Sequence, residues 1–192
     1  MEQTLNQVKV TSKTLVREIA IAITFAIAYF ILVKINPFTA LAGTASLATF
    51  ATIRLANVLY AFILVTPSAA VGIAMGGYAF NVSSGKVAFG SYPIIPFIMM
   101  VVGLGVYYVI NKIGRSVKTD LIILTIYGAI IGSIVALNNI LFAVATDETV
   151  LGTLFTIGAL YKIFNHIIMF LLGYVFVTKF DSIRHTKNIS SK

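Results

Sequence analysis

The sequence contains no cysteine, which excludes disulfides, thiolate metal ligation and thiol nucleophiles together. Charge is scarce: Asp, Glu, Lys and Arg make up 10% of the 192 residues, against about 25% in soluble domains. No glycine-rich loop is followed by Lys and Ser or Thr, so any ATP-driven step must draw on another subunit. The few acidic residues fall at the edges of apolar runs or in the tails, leaving no carboxylate pair for acid–base work. His185 lies in the tail, so His166 alone is placed in an apolar run, which is too little for bis-imidazole haem ligation. No enzyme activity, cofactor or metal is therefore expected. What the chain has in excess is apolar surface, 59% of its residues, with a mean hydropathy of +0.98. A soluble chain of this size leaves roughly 30% of its unfolded surface in water and could not hide so much. Lipid must be part of its solvent.

Runs of about 20 apolar residues read as membrane-spanning helices. Four are plain: Leu15 to Val33, Val87 to Ile110, Leu121 to Ala145 and Leu151 to Thr178. The first is too long and too poorly terminated for a signal peptide. Between Pro37 and Gly85 the pattern is broken. Phe38 to Thr52 is rich in Ala, Thr, Ser and Gly, and reads as an ordered loop or partial helix. Arg54 follows, then two short runs, Leu55 to Val65 and Ser68 to Phe80, separated by Thr66-Pro67. Each is short for a full span. An interrupted pair at membrane depth points to a binding site lined by protein; the alternative is one kinked hairpin with no site. The expected fold is an all-α integral membrane protein, a compact six-transmembrane-helix bundle forming a single domain over 1–192, with tails at 1–14 and 179–192.

The cations give the orientation. With both termini cytoplasmic, the inner segments hold Lys9, Lys13, Arg17, Lys112, Arg115, Lys118, Lys179, Arg184, Lys187 and Lys192, ten of the fourteen. Lys34, Arg54 and Lys86 fall outside, with Asp147 and Glu148, and Lys162 lies within the sixth span. This is the positive-inside bias. The net charge of +8 is then an address in a multi-pass cell-membrane protein, and nucleic acid is not needed to explain it.

Three polar islands interrupt the apolar runs. Lys162, Asn165 and His166 share overlapping faces by their spacing, and a cation at that depth costs at least about 2.5–3.5 kcal/mol unless it faces a cavity or partner. Lys162 sits about 16 Å below Leu151 by helical rise. Asn138 and Asn139 form the second island, about 10 Å from the outer end of the fifth run; paired amides offer donors and acceptors to a planar heterocycle. Arg54 and Asn57 form the third. Each island reads either as ligand contact or as hydrogen bonding between helices, with snorkelling a further alternative for Lys162. Tyr127 and Tyr161 are candidates to stack on a ring, or else belt residues. Small residues four apart, Ala22/Ala26, Gly72/Gly76 and Gly128/Gly132, allow close helix approach. They serve packing inside the bundle or, for Ala22 and Ala26, docking of a partner.

The segment Thr52-Ile-Arg-Leu-Ala-Asn-Val-Leu59, the turn Val65-Thr-Pro-Ser-Ala-Ala-Val-Gly72, the run Met75-Gly-Gly-Tyr-Ala-Phe-Asn-Val-Ser-Ser-Gly85 and the element Val87-Ala-Phe-Gly-Ser91 resemble the substrate-binding S components of energy-coupling factor (ECF) transporters. The nearest resemblance is to the queuosine-precursor (QueT-type) family. The motifs cover about a third of the chain, and the rest agrees in layout. The resemblance implies capture of a 7-deazapurine or related micronutrient outside the cell. It also implies docking of the first helix, through Ala22 and Ala26, on a coupling transmembrane subunit driven by two ABC-type ATPases. Asn57 stands where the family pattern has Glu, and Lys86 where it often has Asp, so a neutral ligand edge is implied. Taken with the three polar islands, the expected site comprises Arg54, Asn57, Asn138, Asn139, Lys162, Asn165 and His166. A different class of reading is a structural subunit of a larger membrane complex, its polar islands holding helices together. A self-contained channel or carrier is a weaker one.

Overall fold

The computed structural model describes residues 12–36, 53–85, 93–145 and 152–190, with side chains at 14–36, 53–85, 93–138 and 158–179. Among the described residues the chain forms six helices: α1 (Ser12–Lys34), a 3-10 helix (Leu55–Leu64), α2 (Pro67–Ser83), α3 (Ile95–Ile113), α4 (Val117–Ala145) and α5 (Gly152–Ser190). Four are long and apolar enough to cross a membrane, through Thr14–Lys34, Ile95–Ile113, Val117–Asn138 and Gly158–Lys179. The Ala/Thr-rich segment 38–52, the expected start of the fourth run at 87–92 and the side chain of Asn139 lie outside the described residues.

The short second run resolves into a conformation that the sequence reading did not anticipate. Leu55–Leu64 is a 3-10 helix of ten residues, where runs beyond 3–4 are uncommon. At about 2.0 Å per residue it reaches roughly 20 Å, where an α-helix of the same length reaches about 15 Å. A run too short for an α-helical span is thereby stretched across most of the bundle. Thr66-Pro67 then starts α2: Thr66 is the N-cap, its Oγ1 accepting from the Ser68 N–H at 3.3 Å, and Pro67 occupies the first turn. Proline is suited there because that turn's N–H groups lack helical partners anyway.

Glu18 of α1 anchors this junction. Its Oε2 accepts from Ser68 Oγ at 2.6 Å and from Thr66 Oγ1 at 3.3 Å, which puts a carboxylate at the start of α2, where the helix dipole favours it. At the same end of the bundle, Gly114 closes α3 with φ +82°. Ser116 Oγ accepts from the Thr119 N–H, and Asp120, 2% exposed, takes two bonds from Arg115.

Glycines set the closest helix pairs. A Cβ on Gly72 or Gly76 would run into the carbonyl oxygens of Ala22 and Ala26, and one on Gly128 or Gly132 would lie 2.7 Å or 2.6 Å from the Cα of Ile167 or Ile163. These contacts join α1 to α2 and α4 to α5. Gly173 of α5 presses in the same way on Val58 of the 3-10 helix. One expectation is corrected here. The Ala22/Ala26 face is spent inside the chain, against α2, and is not open for a partner. The exposed face of α1 is the isoleucine stripe Ile19, Ile23, Ile27 and Ile31, which suits hydrocarbon. The core is aromatic at its centre: Tyr60 stacks on Phe170 at 4.9 Å, and Tyr127 meets both rings.

The helix α5 outruns its apolar part. Its 39 residues measure about 58 Å, nearly twice a bilayer's hydrocarbon core of about 30 Å. No Gly or Pro follows Thr178, so nothing in the sequence stops the helix where the hydropathy falls.

Candidate ligand site

A cavity opens at one end of the bundle, where α1, α2 and α4 finish and where the 3-10 helix and α3 begin. Its lining includes Tyr29, Arg54, Asn57, Tyr60, Phe80, Asn81, Met99, Asn138 and His166. Its volume is about 60 Å³, several times the roughly 10–15 Å³ that one water requires, and it is open on one side. Glu18, Lys112, Arg115, Lys118 and Lys179 lie towards the opposite end of the same helices.

The 3-10 helix gives the site its order. With three residues per turn, positions three apart eclipse one another, so Asn57, Tyr60 and Ile63 form one line, with Arg54, the N-cap in extended conformation, at its head. On an α-helix the same spacing would turn Ile63 about 120° away from Asn57. Arg54, Asn57 and Tyr60 line the cavity, while Ile63 is fully buried beneath them. The backbone just before this line is pinned, because Asn36 at the end of α1 donates to the Ile53 carbonyl at 2.7 Å. Tyr60 is the floor, its hydroxyl 3.9 Å from Met99 Sδ and its ring on Phe170.

Several hydrogen-bonding groups face this space uncommitted. Among the described residues, the Arg54 side chain has no hydrogen bond or ion pair, and the Asn57 amide, on a residue only 2% exposed, has no hydrogen bond. His166 Nδ1 lies 2.7 Å from the Lys162 carbonyl oxygen. A carbonyl only accepts, so Nδ1 carries the proton there, and in the neutral ring Nε2 is left as an acceptor. Nothing among the described residues occupies Nε2. The fully buried oxygens with no hydrogen bond among the described residues lie elsewhere, at Asn36 Oδ1, Asp120 Oδ1, Tyr127 Oη and Asn165 Oδ1. Arg54, Asn57 and His166 face the open cavity, where a ligand or water can complete them.

The polar islands of the sequence converge in part. Arg54, Asn57, Asn138 and His166 meet at the one cavity. Lys162 and Asn165, 2% and 7% exposed, sit beside His166 on α5 but are absent from the lining, and each is engaged by other groups. They are buried support where ligand contact was expected. The two tyrosines proposed to stack on a ring do not line the cavity either. Tyr127 is wholly buried in the core, and Tyr161 points outward at 38% exposure.

The sequence reading missed Tyr60, Tyr29, Phe80 and Asn81. Tyr60 had a signal, since it extends the Arg54–Asn57 spacing by another three residues. Asn81 is a lone amide near the end of an otherwise apolar run. Tyr29 and Phe80 had none beyond being aromatic. A cation also stands near the rim: Lys34 Nζ lies 5.6 Å from the centre of the Phe80 ring. Comparison of the chain with protein-family models, with curated proteins and with solved structures finds no match.

Proposed function

We propose that this chain is the substrate-binding membrane subunit of an ECF-type importer, capturing a small planar heterocycle of the deazapurine class. The observation that carries the reading is the cavity in which Arg54, Asn57 and His166 present uncommitted hydrogen-bonding groups. Hydrogen-bonding groups that face an open cavity and are uncommitted among the described residues suit a ligand better than a purely structural joint between helices. In this reading all six helices cross or enter the bilayer and both termini are cytoplasmic. The cavity lies at the end away from Arg17, Lys112, Arg115, Lys118 and Lys179, and so opens outside, as a capture site must. A coupling transmembrane subunit and two ABC-type ATPases would supply the energy, with docking at a surface other than the covered Ala22/Ala26 face.

Two measurements test this. The purified protein in lipid nanodiscs is melted against a panel of nucleobases, deazapurines and vitamins. A ligand at 100 times its Kd adds about 2.7 kcal/mol of stability, and the absence of any shift across the panel refutes the reading. Because the chain is free of cysteine, single-cysteine variants report topology without background. Ser84→Cys is expected to react with a membrane-impermeant thiol reagent in intact cells, and Lys118→Cys only after lysis. The reverse pattern would put the cavity on the cytoplasmic side and remove the capture role.

A further inference from the structure

The charge around the cavity is one-sided. Arg54 lines it half-buried, without an ion pair among the described residues, and Lys34 stands over Phe80 at the rim. Among the described residues no carboxylate lines the space. Of the chain's six acids, Glu18 is committed to Ser68 and Thr66 and Asp120 to Arg115, both towards the other end of the bundle. A guanidinium offers a planar fork of N–H donors and no acceptor. Its best complement is a carboxylate, which it holds through two parallel charge-assisted bonds. An ammonium group brought to the same place would meet a like charge, with no carboxylate among the described residues of the lining to offset it.

We propose that the molecule bound here carries a carboxylate, seated on the Arg54 guanidinium, next to a planar ring whose edge meets the Asn57 amide and His166 Nε2. The inference rests on the small-molecule reading above and narrows it to planar heterocyclic carboxylates. The chemistry of each contact follows from the line of the 3-10 helix. Arg54 lies nearest the helix start and takes the charged end. Asn57, three residues deeper, offers a donor and an acceptor to a neutral ring edge. Tyr60, deeper again, supplies an aromatic wall. His166 Nε2, held as an acceptor by the Nδ1 bond to Lys162, takes a ring N–H. Lys34 at the rim draws the anion in.

The test uses the full chain in nanodiscs and matched carboxylate, carboxamide and aminomethyl derivatives of two rings, 7-deazaguanine and pyridine, with affinities from titration calorimetry. On at least one ring the carboxylate is expected to bind about 10- to 100-fold tighter than the aminomethyl partner, the range of a hydrogen bond to a charged group. Arg54→Gln is expected to abolish that preference, and Arg54→Lys to keep part of it. Binding without a carboxylate preference on either ring, or with a preference for the amine, overturns the proposal while leaving a heterocycle site in place. A carboxylate preference that survives Arg54→Gln overturns it as well. Failure of every compound to bind the wild type overturns this proposal, and the small-molecule reading falls with it only if the wider panel also gives no shift. The wild-type series decides by itself if Arg54→Gln does not fold.

Discussion

Gly173→Ala tests whether the 3-10 helix is held in place by contact with α5. A Cβ at position 173 would overlap the Val58 carbonyl oxygen and lie 2.8 Å from Ala61 Cβ and 3.0 Å from the Val58 carbonyl carbon. Carbon atoms prefer separations of about 3.5–4.0 Å, so the 3-10 helix must retreat by roughly 1 Å. No rotamer can relieve a clash with backbone, which places the overpacking cost towards the upper part of its usual range of about 1–3 kcal/mol. Alanine also gains about 1 kcal/mol over glycine in helix propensity, which partly masks the loss. Gly105→Ala in α3 is the matching control, because nothing lies within 4 Å of its new Cβ. The propensity gain is common to both variants, so their difference isolates the clash. For a chain of this length each kcal/mol shifts Tm by about 2–4 °C, and Gly173→Ala is expected to melt roughly 2–12 °C below Gly105→Ala. Circular dichroism in detergent micelles measures this, the chain having no tryptophan to report by fluorescence. If the cavity takes the proposed ligand, its affinity should fall with Gly173→Ala and hold with Gly105→Ala, since Asn57 and Tyr60 ride on the displaced helix and Arg54 caps it. If the two variants melt together and bind alike, α5 does not position the site and the packing argument fails.

Two further outcomes follow from the same contacts. Phe170, fully buried and stacked on Tyr60 at 4.9 Å, is expected to cost about 3–5 kcal/mol when cut to alanine. Ligand affinity should fall with it because the floor of the cavity loses its backing, and a variant that melts like wild type would show the aromatic cluster to be dispensable. Arg115→Ala leaves Asp120 buried without its cation and is expected to cost about 3–5 kcal/mol. Arg17→Ala removes an exposed pair with Glu18 and should cost less than about 1 kcal/mol; equal thermal shifts for the two would contradict the burial of Asp120.

Much of the helical layout was legible because hydropathy and turn chemistry are local. The apolar runs ending at Val33, Ile110 and Ala145 each end within a few residues of a helix end, and Thr66-Pro67 marks a real N-cap. The site was legible only in part. Arg54, Asn57, Asn138 and His166 stood out because polar groups are costly in an apolar run. The same rule selected Lys162 and Asn165, which the fold buries beside His166 and commits elsewhere. Cost identifies a polar residue that must be satisfied, and it does not say by whom. Tyr60 and Phe80 escaped because an aromatic side chain in a membrane helix is unremarkable until its neighbours are known.

The sequence by itself determined that the chain needs lipid, roughly where its helices run, and which few polar residues require partners, because these follow from composition and from spacing within one segment. Tertiary structure alone decided the rest. Small residues four apart signal close approach without naming the partner, and it was the packing of Gly72 and Gly76 on Ala22 and Ala26 that turned an expected docking face into an internal seam. The 3-10 winding of Leu55–Leu64 likewise appears only in the folded chain, where Gly173 of α5 presses on Val58. That winding aligns Asn57, Tyr60 and Ile63 behind the cap residue Arg54, since three residues per turn puts on one face what 3.6 per turn would spread around the helix.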